Sequence, residues 1–178
     1  HLMIAAPATK GLLFHRPVKT GSTTVAGTIM RIAHTKRHLA KNKNATNTPC
    51  CLHRANHGTA YSTFKYHLRD KTKSFLFSIL RDPTKMIISK FFHFSISVGQ
   101  RVPTDAFFQK DALSYSNGNQ YIRDLALENV PNPNTAIYGP IVKRIIDGYD
   151  FIAITERLDE SMVVLKMLLG LELQDILY

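Results

Sequence analysis

Lys19-Thr20-Gly21-Ser22-Thr23-Thr24 is the first stretch of this sequence whose residue types could do chemistry. An ammonium, a row of hydroxyls and a glycine in one short turn can surround a phosphate or a sulfate. Gly21 would let the backbone turn tightly or approach the anion closely. Arg81, with Ser89 eight residues later, forms a second such place. A guanidinium grips a phosphate through two parallel hydrogen bonds, and a nearby hydroxyl can complete the cage. The third is Cys50-Cys51-Leu52-His53-x3-His57, which concentrates imidazoles and thiols. Its spacing matches no common zinc finger, and no second cysteine pair completes a four-ligand shell, so no metal is expected. A disulfide between adjacent cysteines would be strained.

These groups need elements to position them. Leu12 to Arg16 is an apolar run that ends at Pro17, as a central strand would. Apolar residues at Val25, Ile29, Ile32 and Ala33 then predict a helix from Ser22 to Leu39. Strand, polar turn and helix start is an anion-binding arrangement, because a helix N-terminus carries partial positive charge and unpaired N–H groups. It is not a Walker A loop, since the lysine precedes the glycine. Ser74 to Leu80 is a second buried strand, which places Arg81 at its C-terminal end, where open α/β sheets bind ligands. Thr84 to Phe94 continues as a helix that carries Ser89 and the aromatic run Phe91-Phe92-His93-Phe94, read as core with adenine stacking as the alternative.

Further along, Gln100 to Asp111 reads as a loop and short helix, and Tyr121 to Ala126 and Ala136 to Asp147 as helices. Asp150 to Ile154 reads as another buried strand. A stripe of Leu158, Met162, Leu165 and Leu169 then predicts a helix ended by Gly170. The expected fold class is α/β: a mostly parallel sheet flanked by helices on both faces. Residues 11–178 are expected to form one domain behind a flexible lead-in over residues 1–10, whose His1-Leu2-Met3 looks like a cloning remnant. No run approaches the roughly 18 apolar residues of a membrane span. The net charge of +10, from 23 Lys and Arg against 13 Asp and Glu, favours polyanionic partners. Asn44-Ala45-Thr46 is a glycosylation sequon, usable only in the secretory pathway.

Read together, Lys-Thr-Gly-Ser-Thr-Thr at 19–24 and Arg-Asp-Pro-x5-Ser at 81–89 resemble the two cofactor signatures of sulfotransferases that use PAPS, 3′-phosphoadenosine 5′-phosphosulfate. Tyr149 to Ser161, containing Thr155-Glu156-Arg157, is similar to a segment of the Golgi carbohydrate sulfotransferases of the galactose 3-O- and heparan sulfate 2-O-type. The resemblance implies a P-loop-like sulfotransferase fold, PAPS as cofactor and 3′-phosphoadenosine 5′-phosphate as product. It implies a carbohydrate or other hydroxyl acceptor, which can be anionic, and no nucleic acid. Lys19 would bind the 5′-phosphosulfate and stabilise charge on the bridging oxygen. Thr20, Gly21, Ser22, Thr23 and Thr24 would supply further donors to the same phosphate, and Arg81 and Ser89 would hold the 3′-phosphate. His57 would be the general base, with His53 and then His67 as alternatives. By the same resemblance the site of action is the Golgi lumen, with any membrane anchor outside this segment.

The chain departs from these relatives at Val18, which separates Pro17 from Lys19, and in being shorter than their usual domain. Other readings of the same residues are a non-catalytic polyanion-binding module and a nucleotide-dependent phosphotransferase. The second would ordinarily need a lysine after the glycines and an acid for Mg²⁺, and neither is evident.

Overall fold

Alternation along the strands decides the architecture. In the computed structural model, residues 11–42, 52–53, 57–115, 119–130 and 138–177 are described. They contain four parallel strands, β1 (Gly11–His15), β2 (Leu52–His53), β3 (Ser74–Leu80) and β4 (Phe151–Ile154), in the order β2-β1-β3-β4. Parallel strands buried on both faces read as continuous apolar runs, and successive side chains leave on opposite sides. Leu12 and Phe14 of β1, Phe75, Phe77 and Ile79 of β3, and Ala153 of β4 therefore share one face. Leu13, Leu76, Leu80 and Ile152 take the other.

Two helical layers cover these faces. Helix α1 (Ser22–Asn42) brings Val25, Ile29 and Ile32 to the first face. Helix α6 (Leu158–Leu169) brings Met162, Leu165 and Leu169 to the same core, and α7 (Leu173–Ile176) adds Ile176. Gly170 ends α6 in the left-handed conformation at φ 57°, its N–H on the Lys166 carbonyl, as the sequence predicts. The second face is covered by α4 (Gln120–Leu125), by α5 (Tyr138–Gly148) through Ile141 and Ile145, and by the segment holding Ala60 and Tyr66. At the N-terminal edge of the sheet, Arg69 bonds Asp150 at 2.8 Å and the Gly148 carbonyl at 3.1 Å, closing β3 onto β4.

Helix α2 (Pro83–Lys90) follows β3, with the Asp82 side chain accepting from Lys85 N at 2.9 Å as its N-cap. It runs on into a π-helical segment, Phe91–Val98, which the sequence reading folded into a single helix ending at Phe94. Phe91 is fully buried, with Phe107 and Phe108 of α3 (Asp105–Tyr115) meeting it edge-on at 5.4 and 5.0 Å.

From β1 the chain passes through α1 to β2 on one side, then returns to β3 on the other. The order reverses at the β1–β3 pair, and a crevice opens beyond the carboxyl ends of such a pair. The expected lead-in at residues 1–10, the sequon at Asn44, and Cys50 and Cys51 lie outside the described residues.

Candidate active site

The loop after β1 and the turn after β3 meet in that crevice. A cavity of about 390 Å³ is lined by Lys19, Gly21, Ser22 and Thr23 from the first, and by Arg81, Ser89 and His93 from the second and α2. His57 joins them from the segment that covers the second face. The cavity thus gathers seven of the nine residues singled out in the sequence; Thr20 and Thr24 do not line it. The Thr20 hydroxyl is buried and donates to the Pro17 carbonyl at 3.0 Å, so it stiffens the loop from within. Thr24 donates its N–H to the Gly21 carbonyl at 3.3 Å, inside the first turn of α1. His67 lies apart, its ring against Tyr61 at 4.5 Å, and the side chain of His53 is outside the described residues.

Strained backbone shapes the loop. Lys19 and Gly21 both have positive φ, 62° and 70°. The left-handed region costs nothing for Gly21 and about 1–2 kcal/mol for Lys19. A partner of Lys19 is visible: Arg81 Nη1 donates to its carbonyl at 3.3 Å. Thr155, at the end of β4, completes the knot. Its hydroxyl lies 2.6 Å from the Thr20 carbonyl and 2.8 Å from that of Leu80, so one proton ties together the ends of β1, β3 and β4. The sequence places Thr155 ahead of a helix, within the segment similar to the carbohydrate sulfotransferases, but nothing local announces partners 135 and 75 residues away.

Arg81 is held on its main chain as well. Tyr121 of α4 donates to the Arg81 carbonyl at 2.9 Å and stands 3.2 Å from its N–H. Burial pushes the Tyr121 phenol up to about 12, so it stays a neutral donor. Asp82 caps α2 and is not the ion-pair partner of Arg81, which leaves the guanidinium to the cavity. Arg81 Nε is buried and has no hydrogen-bond partner among the described residues. Among the described residues, the cavity wall holds Lys19 and Arg81 and no carboxylate. Arg16 donates to Oγ1 of Thr23, one of the lining residues, at 3.1 Å. The whole wall is suited to a multiply charged anion.

The histidine is fixed by a different device. His57 Nδ1 lies 2.9 Å from the Arg16 carbonyl, which can only accept, so Nδ1 carries the proton. In the neutral ring the lone pair is then on Nε2. His15, fully buried at the end of β1, donates from Nε2 to the Gly58 carbonyl at 2.8 Å and faces the Tyr149 hydroxyl at 3.3 Å through Nδ1. Burial, opposed by the Gly58 bond and aided by His57, lowers the His15 pKa to about 4, so the ring is neutral. The sequence reading passed over His15 as the tail of an apolar run.

No three His, Cys, Asp or Glu side chains gather as a metal site among the described residues. The described residues thus form an α/β protein with a cationic, hydroxyl-lined cavity at the switch point of a parallel sheet, the place where open α/β sheets bind ligands. The chain belongs to the galactose-3-O-sulfotransferase family, whose model matches residues 2–178. It is therefore a sulfotransferase-like α/β protein. Neither the comparison with curated proteins nor that with solved structures gave a match.

Proposed function

We propose that the protein transfers a sulfuryl group from PAPS to a hydroxyl of a carbohydrate, with His57 as general base, in the Golgi lumen. The observation that carries this reading is the convergence of Lys19, Arg81, Ser89 and His57 on one cavity from separate stretches of the chain. The described residues fit the cofactor: among them the cavity has two cations, several hydroxyls, a buried Arg81 Nε with no hydrogen-bond partner and no carboxylate. When bound, PAPS supplies the activated sulfuryl group and leaves as 3′-phosphoadenosine 5′-phosphate.

The chain's own residues do the rest. Arg81 and Ser89 hold the 3′-phosphate, and Arg81 also supports the Lys19 loop through its bond to the Lys19 carbonyl. Lys19, with Ser22, Thr23 and the N–H groups at the start of α1, binds the 5′ side and places positive charge where the leaving oxygen becomes negative. His57 Nε2 takes the proton of the acceptor hydroxyl, while the Arg16 carbonyl keeps Nδ1–H in place and so holds the ring in the competent tautomer. His15 anchors the peptide next to His57 and is a positioning residue. Among the described residues no helix is long and apolar enough to cross a membrane, so retention in the Golgi would rest on a segment other than these.

The test is transfer itself. Purified protein incubated with PAPS and a β-galactoside should yield sulfated sugar and 3′-phosphoadenosine 5′-phosphate in equal amounts, with Lys19→Ala and His57→Ala strongly impaired. Hydrolysis of PAPS without sugar sulfation, or no turnover in any acceptor panel, would contradict the assignment.

A further inference from the structure

A second cavity, of about 550 Å³, adjoins the first and falls in the size range of small-molecule sites, roughly 300–1,000 Å³. Val18 and Phe94 line both cavities. The α2 and π-helical segment forms the partition: Ser89 and His93 face the cofactor cavity, and Lys90 and Phe94, each one residue on, face the second. The covering segment divides in the same way, with His57 on the first cavity and Thr59 on the second. A hydroxyl presented from the second cavity would therefore arrive beside the base.

The wall of the second cavity is built around a chain of polar side chains. Lys90 is almost fully buried, and its Nζ donates to Gln120 Oε1. Gln120 Nε2 in turn donates to Asp124 Oδ2 at 3.3 Å. The Asp124 main chain is fixed, its carbonyl accepting from Ala60 N at 2.7 Å, three residues beyond His57. Burial pushes the Asp124 carboxyl up, opposed by Gln120, Lys90, Arg123 and His57. A carboxylate has about four lone-pair sites, and the described residues use one of these, so the others are open to donors from a ligand. Phe94 and Tyr115 supply ring surface, and Tyr115 is tied at 3.0 Å to Ser95 of the π-helical segment. A carboxylate and an amide beside aromatic rings suit a ring bearing hydroxyls on its edge and C–H groups on its face. Lys90 and Arg123 together outweigh Asp124, which disfavours a cationic ligand.

We propose that this second cavity is the acceptor subsite, in which Asp124 and Gln120 hydrogen-bond hydroxyls of one neutral sugar ring while Phe94 and Tyr115 cover its apolar face. The inference rests on the reading of the acceptor as a carbohydrate. The probe is methyl β-D-galactopyranoside, titrated by ligand-observed NMR onto protein saturated with 3′-phosphoadenosine 5′-phosphate. Wild type should bind it saturably. Asp124→Asn and Gln120→Leu should each weaken it by roughly tenfold or more, as sites built to bond hydroxyls do when a partner is lost. Nucleotide affinity, measured on the same samples by calorimetry, should stay within about twofold. It reports that each variant is folded.

Galactoside binding unchanged in both variants would overturn the subsite, as would nucleotide binding by wild type with no galactoside binding. Loss of nucleotide and galactoside affinity together in both variants would also overturn it, showing Asp124 and Gln120 to be structural. Wild type that binds neither ligand would sink the sulfotransferase reading first and the subsite with it.

Discussion

His15 and His57 each bond the backbone one residue beyond the other: His15 Nε2 meets the Gly58 carbonyl at 2.8 Å, and His57 Nδ1 meets the Arg16 carbonyl at 2.9 Å. This reciprocal clasp joins the buried end of β1 to the segment that carries the proposed base. One imidazole is buried and neutral, and its partner is exposed with Nε2 available.

His57→Ala should lower kcat by roughly 10²–10⁴-fold, the ordinary range for a lost general base. Affinity for 3′-phosphoadenosine 5′-phosphate should hardly change. Steady-state kinetics beside calorimetry checks both, and equal loss of nucleotide affinity would show that His57 binds and does not act as base.

His15 makes stability depend on pH. Its folded pKa, about 4, lies below the ordinary imidazole value of 6.5 because the ring is buried. The unfolded chain therefore binds the proton first, and this contribution is complete above about pH 6.5 and lost as pH falls towards 4. The shift corresponds to an order of 3 kcal/mol. Urea unfolding across that window should show a shallower acid limb in His15→Gln than in wild type, from a lower starting stability. Parallel curves would remove His15 as the source.

Gly21→Ala should cost about 1–2 kcal/mol, because the residue sits at φ 70°. Its new Cβ would also stand 3.2 Å from Thr155 Cγ2, a tight contact. Thr155→Val should cost about 1–3 kcal/mol by leaving the Thr20 and Leu80 carbonyls without their donor. Thermal unfolding measures both. Nucleotide affinity should fall in each, since both changes disturb the Lys19 loop.

Much of this was legible in sequence because local pattern carried it. β3 is buried on both faces, so Ser74 to Leu80 reads as one apolar run with the observed boundaries. The stripe and terminal glycine of α6 are equally plain. The loop residues Lys19 to Thr23, Arg81 and Ser89 could be picked by type, and the cavity brings them together apart from Thr20. What stayed hidden depends on distant partners. His15 looks like the end of a strand until Gly58 and Tyr149 are placed beside it. Lys90, Gln120 and Asp124 share no spacing motif, because α2 and α4 meet only in the folded chain. The second strand is two residues long and leaves no periodicity to read.

Calorimetry of 3′-phosphoadenosine 5′-phosphate, with ATP and AMP as competitors, on wild type and Arg81→Ala bears on whether the cavity is built for the bisphosphorylated nucleotide. Wild type should prefer it over both competitors. Arg81→Ala should lose roughly 10–100-fold in affinity, as expected for charge-assisted hydrogen bonds, and Arg81→Lys should recover little of it. Equal binding of all three nucleotides, or an Arg81→Ala variant that binds like wild type, would contradict the account.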